Sequence, residues 1–297
     1  MESAIDKHTG KIIDAEQLWE LDFVDSYGYL CRGCHIQVTP CSFRAENKKR
    51  PYFSAKLGHK PDCDVEGDAE IVKKAKKQRI STDRGFPASF PNRLLLKDTR
   101  EVTSSTEAPA AISAYRTRAG RTEGTDTVKR TRTWAAQTIR SICRVFLNYP
   151  YDRDLPLSIP DINGKTYQEI FWRLSNKGIV QYKEPHIFYA PISWHKLNQT
   201  EAYLEIQTGC GRWENSKLIE SYQIRVNWKD WRAKKRSVVL QEIEAARLEC
   251  IQARGSKRKG WLFFIGTQDK GNPGVFYVTD HRLICCIVDE MIYPPGQ

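Results

Sequence analysis

The sequence predicts an α+β protein in which a small metal-binding unit precedes a larger mixed domain. Cysteine and histidine pairs with metal-ligand spacing lie in the first 63 residues, and helical and alternating apolar patterns follow one another after residue 128. With 297 residues, of which 40% are hydrophobic, the chain can bury two such cores. We place the zinc-finger domain at 1–79, a flexible basic linker at 80–127 and the α+β domain at 128–297.

The metal-binding prediction rests on two short motifs. Cys31 and Cys34 form a C-x2-C pair, which bends the backbone into a knuckle that points both sulfurs at one ion. His59 and Cys63 form an H-x3-C pair, which presents a nitrogen and a sulfur on one side. Three thiolates and one imidazole satisfy tetrahedral Zn²⁺ without an open position, as in a structural site. The alternative is unconnected thiols and a histidine in a core, and Cys41 is a further candidate ligand.

The remaining features indicate a cytoplasmic protein without a membrane partner. No apolar run approaches the length of a membrane span, and the first residues do not resemble a signal peptide. In a reducing compartment the odd count of nine cysteines argues against a disulfide framework. We expect buried thiols at Cys143, Cys210, Cys250, Cys285 and Cys286.

Positive charge is concentrated in short clusters. The chain carries 47 Lys and Arg against 36 Asp and Glu, a net charge of +11. Clustered cations attract phosphate backbones through counterion release, so we expect DNA or RNA as a partner, with solubility alone as the alternative reading. The candidate binding residues are Lys73, Lys74, Lys76 and Lys77; Arg232, Lys234, Lys235 and Arg236; and Lys257, Arg258 and Lys259, and a further cluster lies at Lys129, Arg130 and Arg132.

Two tryptophans, Trp228 and Trp231, lie beside the cluster that begins at Arg232. Indole rings interleaved with cations fit base stacking next to phosphate contacts, so Trp231 is a candidate nucleic-acid contact. The alternative is that both tryptophans are core anchors, since Trp228 continues an apolar alternation. We expect Trp228 to be buried and Trp231 half exposed.

The linker prediction follows from composition. Residues 80–127 are rich in Ser, Thr, Pro, Gly and Arg and contain few large apolar residues, so this stretch cannot repay the entropy of ordering on its own.

Apolar periodicity predicts the secondary structure on either side of it. A hairpin is expected between Ile36 and Phe53, and a basic helix at 69–79. Further helices are expected to end at Asn148, to run from the capping box at Thr166 to about residue 178, and to span about 237–254. Strands are expected at 179–182, 186–192, 202–207, 222–228, 261–266, 275–278 and 283–288.

The N-terminal motif resembles the zinc-finger region of CoiA-like competence proteins. The resemblance is carried by the C-x2-C knuckle, by the aromatic strand around Tyr52-Phe53-Ser54, and by the late H-x3-C pair. In the second domain, the strand ending Glu205-Ile-Gln207 resembles the E-x-Q strand that related nucleases of the PD-(D/E)xK fold use. The resemblance thus implies a nuclease-related fold and a place in a competence or antiviral defence system of bacteria.

That resemblance also implies a candidate catalytic site. In a nuclease, Glu205 and Gln207 would act around Mg²⁺ with a second carboxylate, for which Glu169 or Glu201 is available. The strand before Glu205, residues 186–194, carries no acidic residue, which departs from the family pattern. We therefore expect a zinc-containing recognition or adaptor protein that binds nucleic acid, with a larger protein complex as a further candidate partner. The alternatives are a metal-dependent nuclease and a protein–protein interaction module with a basic surface.

Overall fold

The chain combines helices and separate sheets, which confirms the α+β class. The computed structural model describes residues 1, 3–44, 47, 51–60, 63–83, 85–96 and 133–295. None of the helices in these ranges combines the length and the apolar composition that crossing a bilayer demands. The α-helices are α1 (Asp64–Ala75), α2 (Ile139–Asn148), α3 (Tyr167–Ile170) and α4 (Ala233–Gln252).

An N-terminal sheet carries the cysteine motifs. Its strands have the order β2-β1-β3-β4-β5, and β4 and β5 form the antiparallel hairpin expected from the sequence. Leu18, Val38 and Phe53 fill its own small core. The strands are β1 (Ser3–Asp6), β2 (Ile12–Asp14), β3 (Tyr29–Leu30), β4 (Gln37–Cys41) and β5 (Tyr52–Ser54).

Helix α1 connects this sheet to the rest of the molecule. It begins directly after Cys63, which is the N-cap residue, so its start belongs to the N-terminal unit. At its other end Ala75 is fully buried in the larger core, and Ile71 and Val72 pack against the same core. The helix expected at 69–79 therefore starts earlier and holds the two parts of the protein together.

Two sheets of four or more strands form most of the larger part within the described residues. One has the order β16-β13-β9-β8 and the other the order β10-β11-β12-β15-β14. The strands are β8 (Phe171–Arg173), β9 (Ile187–Pro191), β10 (Asn198–Gln199), β11 (Tyr203–Glu214), β12 (Lys217–Asn227), β13 (Lys259–Phe264), β14 (Thr267–Gln268), β15 (Val275–Val278) and β16 (Ile284–Asp289).

Alternation along the strands assigns each face of the four-stranded sheet to a different core. Ile187, Tyr189 and Phe263 point into a core shared with α2. The intervening Phe188 and Leu262 point into a second core, which includes residues of the five-stranded sheet and of α4. The four-stranded sheet is thus the middle layer, and the five-stranded sheet keeps one face free of this core.

The linker prediction was wrong for residues 80–96. Ile80, Phe86 and Phe90 are buried in the core around α2, and β6 (Phe90–Leu94) pairs in parallel with β7 (Thr133–Ala136). The average composition of the stretch concealed these apolar residues, which find their partners at distant positions. The remainder of the predicted linker, 97–127, lies outside the described residues.

The helix predicted from Thr166 to about residue 178 was also wrong. The cap itself is present, since the Thr166 side chain accepts a hydrogen bond from the N–H of Glu169, but α3 ends after one turn. Phe171–Arg173 then form β8, which pairs in parallel with β9. Aromatic residues favour strands once a partner strand is beside them, and here that tertiary pairing overrides the helical spacing.

Two further boundaries differ from the predicted ones. Helix α2 reaches Asn148 as expected but begins only at Ile139, because the preceding residues form β7. No strand forms at 179–182, where the N–H of Val180 donates to the Tyr222 hydroxyl instead. The other predicted strands and the long helix are confirmed within a few residues, although β11 and β12 are longer than expected.

Strands β11 and β12 form a long hairpin that bends at a glycine. The pairing register shifts between Gln207 and Gly211, and Gly211 has a φ of +144°. A Cβ atom at Gly211 would lie 2.0 Å from the carbonyl oxygen of Glu220 in the facing strand. The close approach of the two backbones therefore requires glycine at this position.

Replacing Gly211 with alanine should lower the free energy of unfolding by more than about 1 kcal/mol, since it adds both a steric clash and an unfavourable backbone conformation. Gly209→Ala is the matched control in the same strand, because its Cβ would meet Pro191 at an ordinary 3.5 Å. Urea unfolding of both variants measures the difference. Equal stability of the two variants would show that the hairpin relaxes around residue 211.

Candidate metal centre and basic surfaces

Four potential metal ligands from the N-terminal unit lie close together. The ligand atoms of Cys31, Cys34, His59 and Cys63 are all within 4.8 Å of one another. The Cys31 and Cys63 sulfurs are 3.6 Å apart, and Nδ1 of His59 lies 3.5 Å from the Cys34 sulfur and 3.3 Å from the Cys63 sulfur. The prediction that these residues converge is confirmed, and the arrangement can hold a metal ion.

A knuckle after β3 positions the first two ligands. The N–H of Cys31 donates to the Ile36 carbonyl at 2.8 Å, and the N–H of His35 donates back to the Cys31 carbonyl at 3.0 Å. The turn between them brings the N–H of Gly33 within 3.4 Å of the Cys31 sulfur. His35 closes the turn with a φ of +56°, in the left-handed region.

A second turn and the start of α1 position the other two. Gly58 precedes His59 with a φ of +75°, and its N–H donates to the Ala55 carbonyl. The N–H of Cys63 donates to the Lys60 carbonyl, so Cys63 is fixed at the N-cap of α1. The sulfur of Cys41, the fifth candidate ligand, contacts the Thr39 carbonyl at 3.5 Å and is not part of the group.

The two cysteines of the knuckle differ electrostatically. Burial raises the pKa of the Cys31 thiol to about 11. Burial also acts to raise the pKa of Cys34, but the N–H groups of Lys60 and Ile36 and hydrogen bonds with His59 and Cys63 outweigh it and lower this pKa to about 6. The site therefore contains one sulfur that is readily ionised and one that needs a cation to stabilise its thiolate form.

Two of the predicted basic clusters meet at the end of β16. Nζ of Lys76, just beyond α1, contacts both carboxylate oxygens of Asp289 at 2.7 and 2.8 Å. Lys259 is the cross-strand partner of the same Asp289, and Nζ of Lys257 lies 3.8 Å from Glu290. We call this surface the Asp289 face; its exposed cations are Lys73, Lys74, Lys77, Lys257, Arg258 and Lys259.

The third cluster lies at the start of α4. Arg232 is the N-cap residue, and Lys234, Lys235 and Arg236 belong to the first turn, which contains no acidic residue. Lys234 contacts Asp22 at 3.1 Å, whereas Arg232 and Lys235 are exposed. We call these four cations the N-terminal patch of α4. Because α4 has 20 residues, this patch lies about 30 Å from the C-terminal end of the helix, after which the chain continues to Lys257. The cluster at 129–132 lies outside the described residues.

The tryptophan prediction is confirmed. Trp228 is 1% exposed and its indole N–H donates to the Thr200 carbonyl. Trp231 is half-buried, donates to the Thr279 carbonyl at 3.1 Å and packs edge-on against His281. Part of the Trp231 ring is thus accessible beside the N-terminal patch of α4.

Two of the nuclease-like residues, Glu205 and Glu169, have other partners. Glu205 and Gln207 lie on the same face of β11, but the Glu205 carboxylate accepts a hydrogen bond at 2.8 Å from Arg225 on β12. Glu169 is exposed and accepts from the N–H of Lys165 at 2.7 Å. Among the described residues, the cysteine–histidine group is the one set of three or more His, Cys, Asp or Glu side chains placed to hold a metal.

Sequence reasoning missed the residue that organises the Asp289 face. Asp289 follows an apolar strand, and its partner Lys76 is 213 positions away in the chain. Two adjacent acidic residues, Asp289 and Glu290, at the end of a strand give no local signal of such a role. The N–H groups of Lys60 and Ile36, which stabilise the Cys34 thiolate, were missed for a related reason, since backbone donors have no side-chain signature.

Comparison of this chain with known proteins identifies no related protein. No protein-family model, no curated protein and no solved structure matches this chain. The candidate functions therefore depend on the geometry described above.

Proposed function

We propose that this protein binds nucleic acid through a basic surface whose supporting helix is anchored by a structural zinc ion. The observation that carries the proposal is the convergence of two distant lysine-rich segments on the Asp289 face. The resemblance of the cysteine motif to CoiA-like proteins supports a role as a recognition or adaptor subunit in a competence or defence system.

Cys31, Cys34, His59 and Cys63 would hold the zinc ion. Tetrahedral zinc with bonds of about 2.3 Å to sulfur and about 2.0 Å to nitrogen separates its ligands by about 3.5–3.8 Å. Three of the six distances between the ligand atoms, 3.3, 3.5 and 3.6 Å, are close to these values, and all six are within 4.8 Å. Four protein ligands fill the coordination sphere, so the ion would stabilise the fold and would not activate water.

The zinc site and the Asp289 face are connected by α1. Cys63 caps the start of this helix, and Lys73 and Lys74 lie in its last turn. Twelve residues of helix span about 18 Å, so the metal fixes one end of the element that presents the lysines at the other. Burial of Ala75 then fixes that second end against the larger core.

The charge at the start of α4 supports a polyanionic partner as well. The positive end of a helix dipole favours nearby anions, yet four cations are placed there. This arrangement is unfavourable in the free protein, and a phosphate backbone would relieve it. The separation of about 30 Å along α4 corresponds to about nine base pairs of duplex at 3.4 Å each.

Reversing Lys73, Lys74 and Lys77 to glutamate should weaken binding to any DNA or RNA sequence alike. Each phosphate contact contributes about 0.9 to the slope of log K against log salt on duplex DNA, so losing three should reduce the slope by about 2.7. Fluorescence anisotropy with a labelled duplex and a single strand at several salt concentrations measures both quantities.

The matched control reverses Lys177, Lys183 and Lys270, three exposed lysines that belong to none of the basic clusters. This variant has the same net charge, so a nonspecific effect of charge would weaken both proteins equally. Equal affinities of the two variants, or wild-type binding that is independent of salt, would contradict the proposal. In the second case an acidic protein partner would become the better explanation for the basic surface.

A further inference from the structure

A polar cleft lies on the face of the five-stranded sheet that is turned away from the core. Its volume is about 420 Å³, within the range of small-molecule sites. Gln207 on β11 and Gln223 on β12 are register partners and both line the cleft. Each is half-buried and alternates with residues that point into the core.

The backbones of these two glutamines are already paired, whereas their side chains are directed to the cleft. The Gln207 carbonyl accepts from the N–H of Ser193, and the N–H of Gln223 donates to the Gly274 carbonyl. Within the described part of the chain, the side-chain amides of Gln207 and Gln223 make no hydrogen bond to another group. Two half-buried amides side by side thus offer paired donors and acceptors to a ligand.

The rest of the lining defines the chemistry of that ligand. His195 lies at the rim, where Ser193 Oγ is 2.7 Å from Nδ1 and leaves Nε2 for the cleft. Leu218 and Ile219 supply an apolar wall. Glu220 lines the cleft and no lysine or arginine of the described residues does, so a phosphate group has no lysine or arginine partner there.

We propose that this cleft binds a nucleobase, either in a free nucleoside or as an unstacked base of a single strand. A carboxamide matches the adjacent donor and acceptor positions of a base edge, as Gln does when it reads adenine. The apolar wall would cover the flat face of the ring. The single-strand form of this inference rests on the proposed nucleic-acid binding, and the free-nucleoside form does not.

The test uses the full-length protein and follows the imidazole NMR signals of His195 while adenosine, guanosine, cytidine, uridine or ribose is added. At least one nucleoside should shift these signals, and ribose should not. Gln207→Leu or Gln223→Leu should lower the affinity for that nucleoside about tenfold or more. Gln199→Leu, an exposed glutamine on β10 outside the lining, is the matched control and should bind as the wild type does.

A second arm separates the two sources of the base. The wild type should bind an oligonucleotide with abasic sites less tightly than the intact strand. The Gln207→Leu variant should bind the two oligonucleotides with equal affinity. If ribose binds as well as the nucleosides, or if both glutamine variants bind every probe like the wild type, the nucleobase inference is wrong. Nucleoside binding without polynucleotide binding would support the nucleobase cleft and reject the proposed function. Polynucleotide binding that is unchanged in both glutamine variants would support the proposed function and reject the nucleobase cleft.

Discussion

The Cys34→Ser protein is expected to bind no zinc at the proposed site and to lose the ordered structure of its N-terminal unit. Structural zinc contributes about 10–16 kcal/mol in zinc-finger peptides, far more than the small core around Leu18 and Phe53 could supply alone. Cys34 is only half-buried, so the substitution removes a ligand with little loss of packing. Metal content by mass spectrometry and hydrogen exchange of residues 1–63 measure the two effects.

Cys41→Ser is the control for this experiment. Cys41 lies in the same sheet and is half-buried, but its sulfur is outside the ligand group. The Cys41→Ser protein should bind about one equivalent of zinc per chain. Strands β13 and β16 should stay protected in both variants, since they belong to other cores. A Cys34→Ser protein with a full equivalent of metal would refute the assignment.

Glu242→Ala should lower the free energy of unfolding by about 3–5 kcal/mol, because it leaves a buried arginine without its carboxylate. Arg140 on α2 and Glu242 on α4 form an ion pair and are 4% and 9% exposed. The Glu242 carboxylate also accepts from the N–H of Cys286 at 3.1 Å, so the substitution removes a partner from β16 as well. Thermal and denaturant unfolding give the size of the loss.

Removing both charges should cost less than removing one. In the double variant Arg140→Met, Glu242→Leu, neither charge of the pair is left, and apolar side chains of similar size fill the space. Glu242→Gln is the conservative control, since it keeps an oxygen for the Cys286 N–H. If the double variant is as unstable as the sum of the two single changes, the residues act independently and the ion pair does not connect the helices.

The metal ligands could be predicted from the sequence because their geometry is local. The turn from Cys31 to Cys34 and the one from His59 to Cys63 each place two ligand atoms through a few backbone hydrogen bonds. The spacing encodes those turns directly. Joining the two halves required only that β4 and β5 form a hairpin between them, which the alternation also indicated.

The larger fold was less accessible because its pairings join distant segments. The spacing of Trp134 and Ile139 fits a helix. Trp134 nevertheless lies in a strand, because it pairs with β6, which is some 40 positions earlier in the chain. Likewise β8 forms only because β9 lies beside Phe171. Such pairings depend on the whole core, so periodicity within one window cannot reveal them.

The basic residues show the same limit. Composition identifies clusters, yet it cannot say that Lys76 and Lys259 meet at one aspartate while Arg232 lies at the far end of α4. The polar cleft was invisible for a further reason. Gln207 drew attention as part of an E-x-Q pattern, whereas Gln223 stands in a strand without any motif.

The parallel pairing of β6 with β7 has an evolutionary consequence. β6 and β7 are immediate neighbours in one core, so the connection between them, residues 95–132, begins and ends within one folding unit. Doubling the length of such a connection costs only about 0.6 kcal/mol in closure entropy. Selection on its length should be weak, and descendants of the same ancestor can differ greatly here while keeping an identical core.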